Sequence, residues 1–368
     1  MRIMHVVAPA EFGGLESVVL ALASGQQQRH DVHLLALLET DQPETMLSRK
    51  LRQAGTTVHV LRHAARSFQA QRRDLSAICD TIRPDIIHTH GYLPDVLAAS
   101  IAATADFARV STVHGFTGGS LRNRSYEMMQ RAAFFRFDSV VAVSRKLAGQ
   151  LESAVGRSRV RCVPNAFVPA GELQLRSDAR QQLGLDESRF QIAWIGRISD
   201  EKGPDVFVDA LGRLDGIPFH ATIIGDGPSR PTLEIRSVEA LGADRISWTG
   251  QLADASNLLA AFDLLVMSSR TEGTPIVLFE AMHAGLPVVA AAVGGIPDVI
   301  SSAEGLLFPR EDAAGLADCI KQVHGDRPAA DARAASAKAR LDREFAPAPW
   351  LDRYDEVYTS ALSRRQGS

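Results

Sequence analysis

The stretch Thr271–Val289, TEGTPIVLFEAMHAGLPVV, carries Glu272 and Glu280 eight positions apart around an apolar run. Glu272 stands in a glycine–proline loop that follows LLVMSS, while Glu280 stands inside IVLFEAMHA, a buried-helix pattern that stops at Gly285. A carboxylate within so apolar a run needs a partner. On one continuous helix, eight residues turn ~800° and leave the two acids ~80° apart. They therefore suit different parts of one elongated ligand better than a close acid pair; an ordinary helix-cap region is the plainer alternative. In WIGRISDEKG, Arg197 ends a strand and Lys202 follows near a helix start with Gly203. A planar fork, a point charge and free amides suit a diphosphate, whereas a solvated loop pair is the bland reading.

Three further groups lie in the first half. Gly13 and Gly14, in PAEFGGLESVV, open a helix that the pattern starts near Leu15. Such a turn lets amides approach an anion, although a tight turn alone explains it equally well. Its spacing departs from GxGxxG and speaks against a nicotinamide dinucleotide. His114, in STVHGFTGG, stands at a strand end where an imidazole can donate or accept a hydrogen bond; a lone histidine is by default structural. His88 and His90, in DIIHTHGY, have the spacing of one strand face. No third ligand lies near them in sequence, so they are read as loop structure and no metal is expected.

Almost all of these groups fall at the carboxyl ends of strands, where open parallel sheets collect ligands. RIMHVVAP, DVHLLALL, TVHVL, DIIHTH, ARVSTVHG, SVVAVS and RVRCVP read as strands of a first domain. FQIAWIGR, FHATIIGDG, RISWTG, LLVMSS, LPVVAA and GLLF read as strands of a second. Apolar runs alternating with helical patterns indicate α/β architecture with two doubly wound, Rossmann-like domains. PNAFVPAGELQLRSDAR breaks the alternation and is read as the linker. The first domain is placed at 1–165 and the second at 166–347. The amphipathic tail APWLDRYDEVYTSALSRR, with Trp350, Tyr354, Val357 and Leu362, is expected to form a helix (348–368) that returns to the first domain. AADARAASAKAR is expected to be an exposed helix.

A chain of 368 residues with 45% hydrophobic and 23% charged residues is folded rather than disordered or collagen-like. Cys79, Cys162 and Cys319 form no CxxC pair, which suits reduced thiols and a cytoplasmic setting. No signal peptide is evident, and no window approaches the ~18 apolar residues of a spanning helix. The net charge of −3 divides into +6 over residues 1–165 and −9 over the remainder, which suggests different partners for the two parts.

Taken in order, these motifs resemble the retaining glycosyltransferases of family 4, which have the GT-B fold of two facing Rossmann-like domains. The E-x7-E stretch from Glu272 to Glu280, continued by AMHAGLPVVAAAVGGIPDVI, is the most specific match. IGRISDEKGPDVFVDAL, IIGDGP and VSRKLAGQL…VPN also match. The resemblance implies a nucleotide-sugar donor lying mostly against the second domain, with UDP-sugars first and GDP-sugars second, and no required cofactor or metal. It assigns Arg197 and Lys202 to the departing diphosphate, Glu280 to the ribose hydroxyls and Glu272 to the sugar hydroxyls. Gly14, beside Gly13, and His114 would approach sugar and diphosphate from the first domain as the cleft closes. An acceptor attacking from the face that the nucleotide leaves would retain configuration without a protein nucleophile. Two positions depart from the family. Pro275 removes one loop N–H and leaves Thr274 and Ile276 to carry that contact, and Ala166 replaces a glycine of the linker.

For the acceptor, LRHAARSFQAQRR and SLRNRSYEMMQRAAFFRF mix Arg62, Arg66, Arg72, Arg73, Arg122, Arg124, Arg131 and Arg136 with aromatic residues. Such surfaces meet anionic headgroups, so a saccharide or lipid-linked acceptor and peripheral contact at the inner membrane face are expectations; solvated helices are the plain alternative. No nucleic-acid partner is expected. The competing functions are a sugar-nucleotide epimerase or hydrolase of similar fold and a non-catalytic nucleotide-sugar-binding subunit. A glycosidase would need both carboxylates ~5–9 Å apart at one bond and no use of Arg197 or Lys202.

Overall fold

The computed structural model describes residues 1–9, 13–64, 67–102, 106–115, 121–169, 171–252 and 254–366, the side chains of 121–124 apart. The strands are β1 (Arg2–Val7), β2 (Asp31–Glu39), β3 (Thr57–His63), β4 (Ile86–His90), β5 (Ala108–Val113), β6 (Ser139–Ala142) and β7 (Val160–Cys162). They are followed by β8 (Phe190–Ile195), β9 (Phe219–Ile224), β10 (Ile246–Gly250), β11 (Leu264–Met267), β12 (Val288–Ala291) and β13 (Leu306–Phe308). Each pairing is parallel. Every run read as a strand from its apolar character is one. The reason is visible in β5, where all six residues of ARVSTV are buried: a parallel strand covered by helices on both faces has no solvent side to alternate toward.

The chain divides into two compact units, residues 1–166 with the segment from 347 onward, and residues 167–346. In the first, the strand order is β3-β2-β1-β4-β5-β6-β7; in the second it is β10-β9-β8-β11-β12-β13. Each sheet grows outward in both directions from its own first strand, so the order reverses between β1 and β4 and between β8 and β11. Those reversals leave a crevice beyond the carboxyl ends of the strands, the usual ligand position in open α/β sheets.

The final helix, Pro347–Gln366, buries Trp350, Tyr354, Val357, Tyr358 and Ala361 along one stripe and belongs to the first unit. It packs on β5, β6 and the helix Gly14–Gln26. Arg364 pins its end by donating to the carbonyls of Asp138 and Ser158, both at 2.6 Å.

Two local expectations are corrected and one is met. The polar end of the linker motif forms a helix, Arg176–Leu183, because Arg180 is buried and donates to Ala261 O (2.9 Å), Glu187 and Asp263. The helix after β1 starts at Gly14, within one residue of the expected Leu15. The alanine-rich helix, Arg327–Glu344, is not simply exposed: Ala330, Ala334 and Ala337 face the core.

Candidate active site

In the second unit, β8 ends at Ile195 and leads through Arg197 into the short turn Asp200–Lys202, then into the helix Pro204–Leu211. The neighbouring strand β11 ends at Met267 and leads through Ser268–Thr274 to the helix Ile276–Ala284. The two loops are tied together. Lys202 Nζ lies 2.7 and 2.9 Å from the Glu272 carboxylate oxygens, and Ser269 Oγ donates to Oε1 at 2.6 Å. The Glu272 side chain is only 6% exposed and that of Lys202 29%, so this pair is shielded well enough to hold its geometry. Sequence reasoning gave the two residues separate ligand duties; here they are partners.

Their backbones are held from behind. Gly203 has φ +61, and a Cβ on it would lie 2.3 Å from Ser268 O, so only glycine fits. Gly294, φ +56, backs the Glu272 peptide in the same way, its notional Cβ 1.8 Å from Glu272 O. Gly295 N–H donates to Gly273 O at 2.9 Å. Ser268 Oγ accepts from Trp194 Nε1 (3.0 Å) and donates to Gly203 O (2.7 Å). Arg270 forks onto Asp205 at 2.9 and 2.6 Å and reaches Glu311 at 2.8 Å, which clamps the loop to the helix Pro204–Leu211. Ser268, Ser269, Arg270 and Gly294 escaped sequence reasoning. Only Arg270, two residues before Glu272, offered a signal, as a charge directly preceding the motif.

Arg197 is exposed, and its guanidinium makes no hydrogen bond or ion pair among the described residues. Glu280 is half-buried on the helix Ile276–Ala284 and is likewise without such a partner among them; burial pushes its carboxyl up to about 7. Only the part of the motif from Ile276 onward is helical, so the 80° separation computed for one continuous helix does not apply. Thr274 is buried. Pro275 is the N-cap, and Ile276 opens the helix, its N–H one of the first-turn donors without an intrahelical acceptor.

In the first unit, His88 and His90 are not loop residues but lie on β4, and the third histidine that the sequence did not place beside them is His5 on β1. All three are essentially buried. His5 Nδ1 meets His90 Nε2 at 3.1 Å, and His90 Nδ1 meets His114 Nε2 at 3.3 Å. His5 Nε2 meets Gln26 Oε1 at 2.8 Å, and Gln26 Nε2 donates to Tyr358 Oη at 2.9 Å. His88 contacts Tyr358 Oη and Thr112 Oγ1, both at 2.8 Å, and Thr112 meets Tyr354 Oη at 3.1 Å. Burial pushes His5 and His114 down to about 4, and His88 and His90 well below the ordinary imidazole range. The rings are therefore neutral. Nitrogens of His5, His88 and His90 lie within 4.8 Å of one another, near enough for a metal, yet each ring is engaged in hydrogen bonds.

Gly13 and Gly14 begin the helix after β1 and are exposed, but Gly13 N–H already donates to the buried Glu16 carboxylate at 3.1 Å. An anion there would compete with Glu16. Of the basic residues weighed for an acceptor, Arg72 and Arg73 are exposed, and Arg62 donates to the carbonyl of Gln42. Arg66 and the side chains of Arg122 and Arg124 lie outside the described residues. Beside Arg131 and Arg136, Met128, Met129 and Phe135 are 68%, 46% and 62% exposed. No helix among the described residues is long and apolar enough to cross a membrane.

Comparison with known proteins gives a consistent picture. The family model described as Glycosyltransferase Family 4 matches residues 12–170, and that described as Glycosyl transferases group 1 matches residues 189–326. The chain is 31% identical over 315 residues to the 2-deoxystreptamine N-acetyl-D-glucosaminyltransferase of Streptomyces fradiae, covering 78% of this chain and 73% of that protein. It is 30% identical over 228 residues to the lipopolysaccharide core biosynthesis mannosyltransferase of Rhizobium meliloti, covering 57% of this chain but only 62% of that one. The crystal structure of Anabaena HepE in complex with UDP and glucose superposes with a TM-score of 0.86 at 23% identity, covering 98% of this chain and 100% of HepE. At that identity the likeness bears on the fold.

Proposed function

The chain belongs to the group 1 glycosyltransferases of the GT-B fold, and from that premise we propose that it moves a hexosyl or aminohexosyl group from a nucleotide sugar to a saccharide or lipid-linked acceptor, with retention of configuration and without a metal. The observation that carries this reading is the set of charges at the β8/β11 reversal: an exposed Arg197 with no described partner, and Lys202 held on Glu272. In the transfer, the bond between the anomeric carbon and the diphosphate oxygen breaks as the acceptor oxygen bonds to that carbon. The acceptor's proton passes to the leaving phosphate. Negative charge grows on the diphosphate, and preorganised cations are worth most where charge develops. We assign Arg197 and Lys202 to it. As Lys202 turns part of its charge to phosphate, Glu272 is released to accept hydrogen bonds from the sugar. Glu280, a half-buried acid lacking donors among the described residues, is assigned to the ribose hydroxyls, and the amides of Thr274 and Ile276 to the donor. In the first unit, His114 and the Gly13–Gly14 turn are assigned to the sugar and its diphosphate.

HepE was crystallised with UDP and glucose, and UDP-sugars head the list of donors to try, ahead of GDP-sugars. A thermal-shift and calorimetric screen of UDP-, GDP- and ADP-sugars tests the reading. Ligand at 100 times its dissociation constant adds ~2.7 kcal/mol of stability. A folded sample that responds to none of them rejects it. Product NMR then decides retention, and excess chelator should leave the rate unchanged. The exposed Met128, Met129 and Phe135 beside Arg131 and Arg136 are assigned to a membrane surface bearing the acceptor. Failure to float with anionic vesicles at low salt removes that assignment.

A further inference from the structure

We infer that Gln26, acting through His5 and His90, fixes the tautomer of His114 so that its free nitrogen can only accept a hydrogen bond. This rests on the reading of His114 as a donor-sugar contact and deepens it. The Gln26 amide nitrogen donates to Tyr358 Oη, so its oxygen faces His5 Nε2 and must accept from it. A neutral imidazole has one N–H and one bare nitrogen. With Nε2 protonated, His5 Nδ1 is bare and accepts from His90 Nε2–H. His90 Nδ1 is then bare and accepts from His114 Nε2–H. The chain ends at His114 Nδ1, a bare acceptor with no partner among the described residues.

The companion branch agrees. Tyr358, accepting from Gln26, donates to His88 Nδ1, which leaves His88 Nε2–H to donate to Thr112 Oγ1. All four rings are then Nε2–H, the more stable tautomer of a neutral histidine. Turning the Gln26 amide over would force all four into the less stable form at once, so each ring votes for the same amide orientation. Burial keeps the network uncharged, since His5 and His114 are both pushed down to about 4, and no described carboxylate or cation hydrogen-bonds to any ring of the chain.

The consequence is chemical selection. A diphosphate at neutral pH offers oxygens but no hydrogens, so a bare Nδ1 gains nothing from it. A sugar hydroxyl supplies the missing donor. Of the two groups assigned to His114 above, the hydroxyl is therefore its partner. Gln26, His5 and His90 are positioning residues, acting at a distance from the reacting atoms by passing on one proton arrangement.

Nitrogen-15 NMR of the full chain, with correlations that separate protonated from bare ring nitrogens, tests this without substrate. His5, His90 and His114 are expected to show protonated Nε2 and bare Nδ1. In Gln26→Leu the acceptor for His5 is lost and the His114 signals should shift toward a mixture. In Gln26→Glu a carboxylate still accepts from His5, and the His114 pattern should return. A protonated Nδ1 on His114 in the unaltered protein overturns the inference. So does an unchanged pattern in a folded Gln26→Leu variant, or a stoichiometric zinc ion held by His5, His88 and His90. Should Gln26→Leu fail to fold, the unaltered protein and Gln26→Glu decide alone. Adding UDP and then UDP-sugar tests the underlying reading separately: His114 Nδ1 should move only with the sugar, and if it moves with neither, that reading fails while the tautomer assignment stands.

Discussion

At the reversal of strand order in the first unit stand imidazoles that burial keeps neutral; at the same reversal in the second stand guanidinium, ammonium and carboxylate groups. The net charges run the other way. The first 165 residues carry +6 and the rest −9, yet the uncharged centre lies in the basic part and the cations in the acidic part. Net charge governs solubility and long-range encounter, whereas a site is made by the few groups that a fold fixes at one place. The two centres are also kept by different means. The neutral one is held by internal hydrogen bonds among His5, His88, His90, Gln26, Thr112 and Tyr358, with His114 Nδ1 left over at its end. The charged one stays ordered through the Lys202–Glu272 pair and the Arg270 clamp.

The contrast can be broken first where the effect should be largest. Arg197→Ala and Lys202→Ala should each lower kcat/KM by roughly 10²–10³-fold, the scale of losing one preorganised donor. Initial transfer rates measure this, and a loss below threefold for both would mean that the charged centre is not where the leaving group sits. Next come the two acids. Glu280→Ala should weaken nucleotide binding by roughly 10–100-fold, as for hydrogen bonds to a charged group, while Glu272→Ala should mainly slow turnover. Calorimetry with free nucleotide beside steady-state kinetics separates them, and equal effects on both parameters would erase the division of labour.

A third outcome concerns pH. The Glu280 carboxyl is pushed up to about 7 in the fold, so the native state holds a proton that the unfolded chain releases near its ordinary range. Stability drawn from that group therefore falls as pH rises from about 4.5 through 7. Nucleotide affinity should move the opposite way, because ribose hydroxyls favour the carboxylate. It should fall by up to about tenfold for each pH unit below 7, with proton release on binding seen in buffers of different ionisation enthalpy. Glu280→Gln should flatten both slopes; if the affinity slope survives that change, another group owns it. The smallest effect belongs to the neutral side. Tyr354→Phe removes one hydroxyl from Thr112 and should cost about 1 kcal/mol in denaturant unfolding with turnover unchanged. A drop in turnover there would show that the Thr112–Tyr354 branch, and not only the relay from Gln26 to His114, bears on the site.

Which features were legible follows from how local their cause is. The central strands could be read because a doubly covered parallel strand is largely apolar along its length, and RIMHVV or LLVM declares that within a few residues. The helix Arg176–Leu183 hid because its one buried polar residue, Arg180, is satisfied by Asp263 and Ala261, more than eighty positions away. The same limit governs the sites. Residue type and strand-end position pointed to Arg197, Lys202 and Glu272, and only the family resemblance to His114, but Lys202 and Glu272 are seventy residues apart, and nothing near either announces their pairing. His88 and His90 were misread as loop structure because their partners, His5 and Tyr358, come from opposite ends of the chain. Gly294 is the sharper lesson: a glycine in VGGIP looks like a turn, and only the fold shows that it makes room for the Glu272 backbone.

The returning helix has a further consequence for how the protein is made. Residues 167–346 form one uninterrupted unit, but the first unit needs residues from 347 onward. On a ribosome adding 5–20 residues per second, the intervening stretch takes roughly 10–40 s to synthesise. During that interval the first sheet has its strands but lacks Tyr354 and Tyr358, so His88 waits for its hydroxyl partner and the face that Trp350 and Val357 will cover stays wet. The later-encoded unit can thus finish before the earlier one, and chaperone capture during translation should concentrate on nascent chains longer than the first unit's strands and shorter than its closing helix.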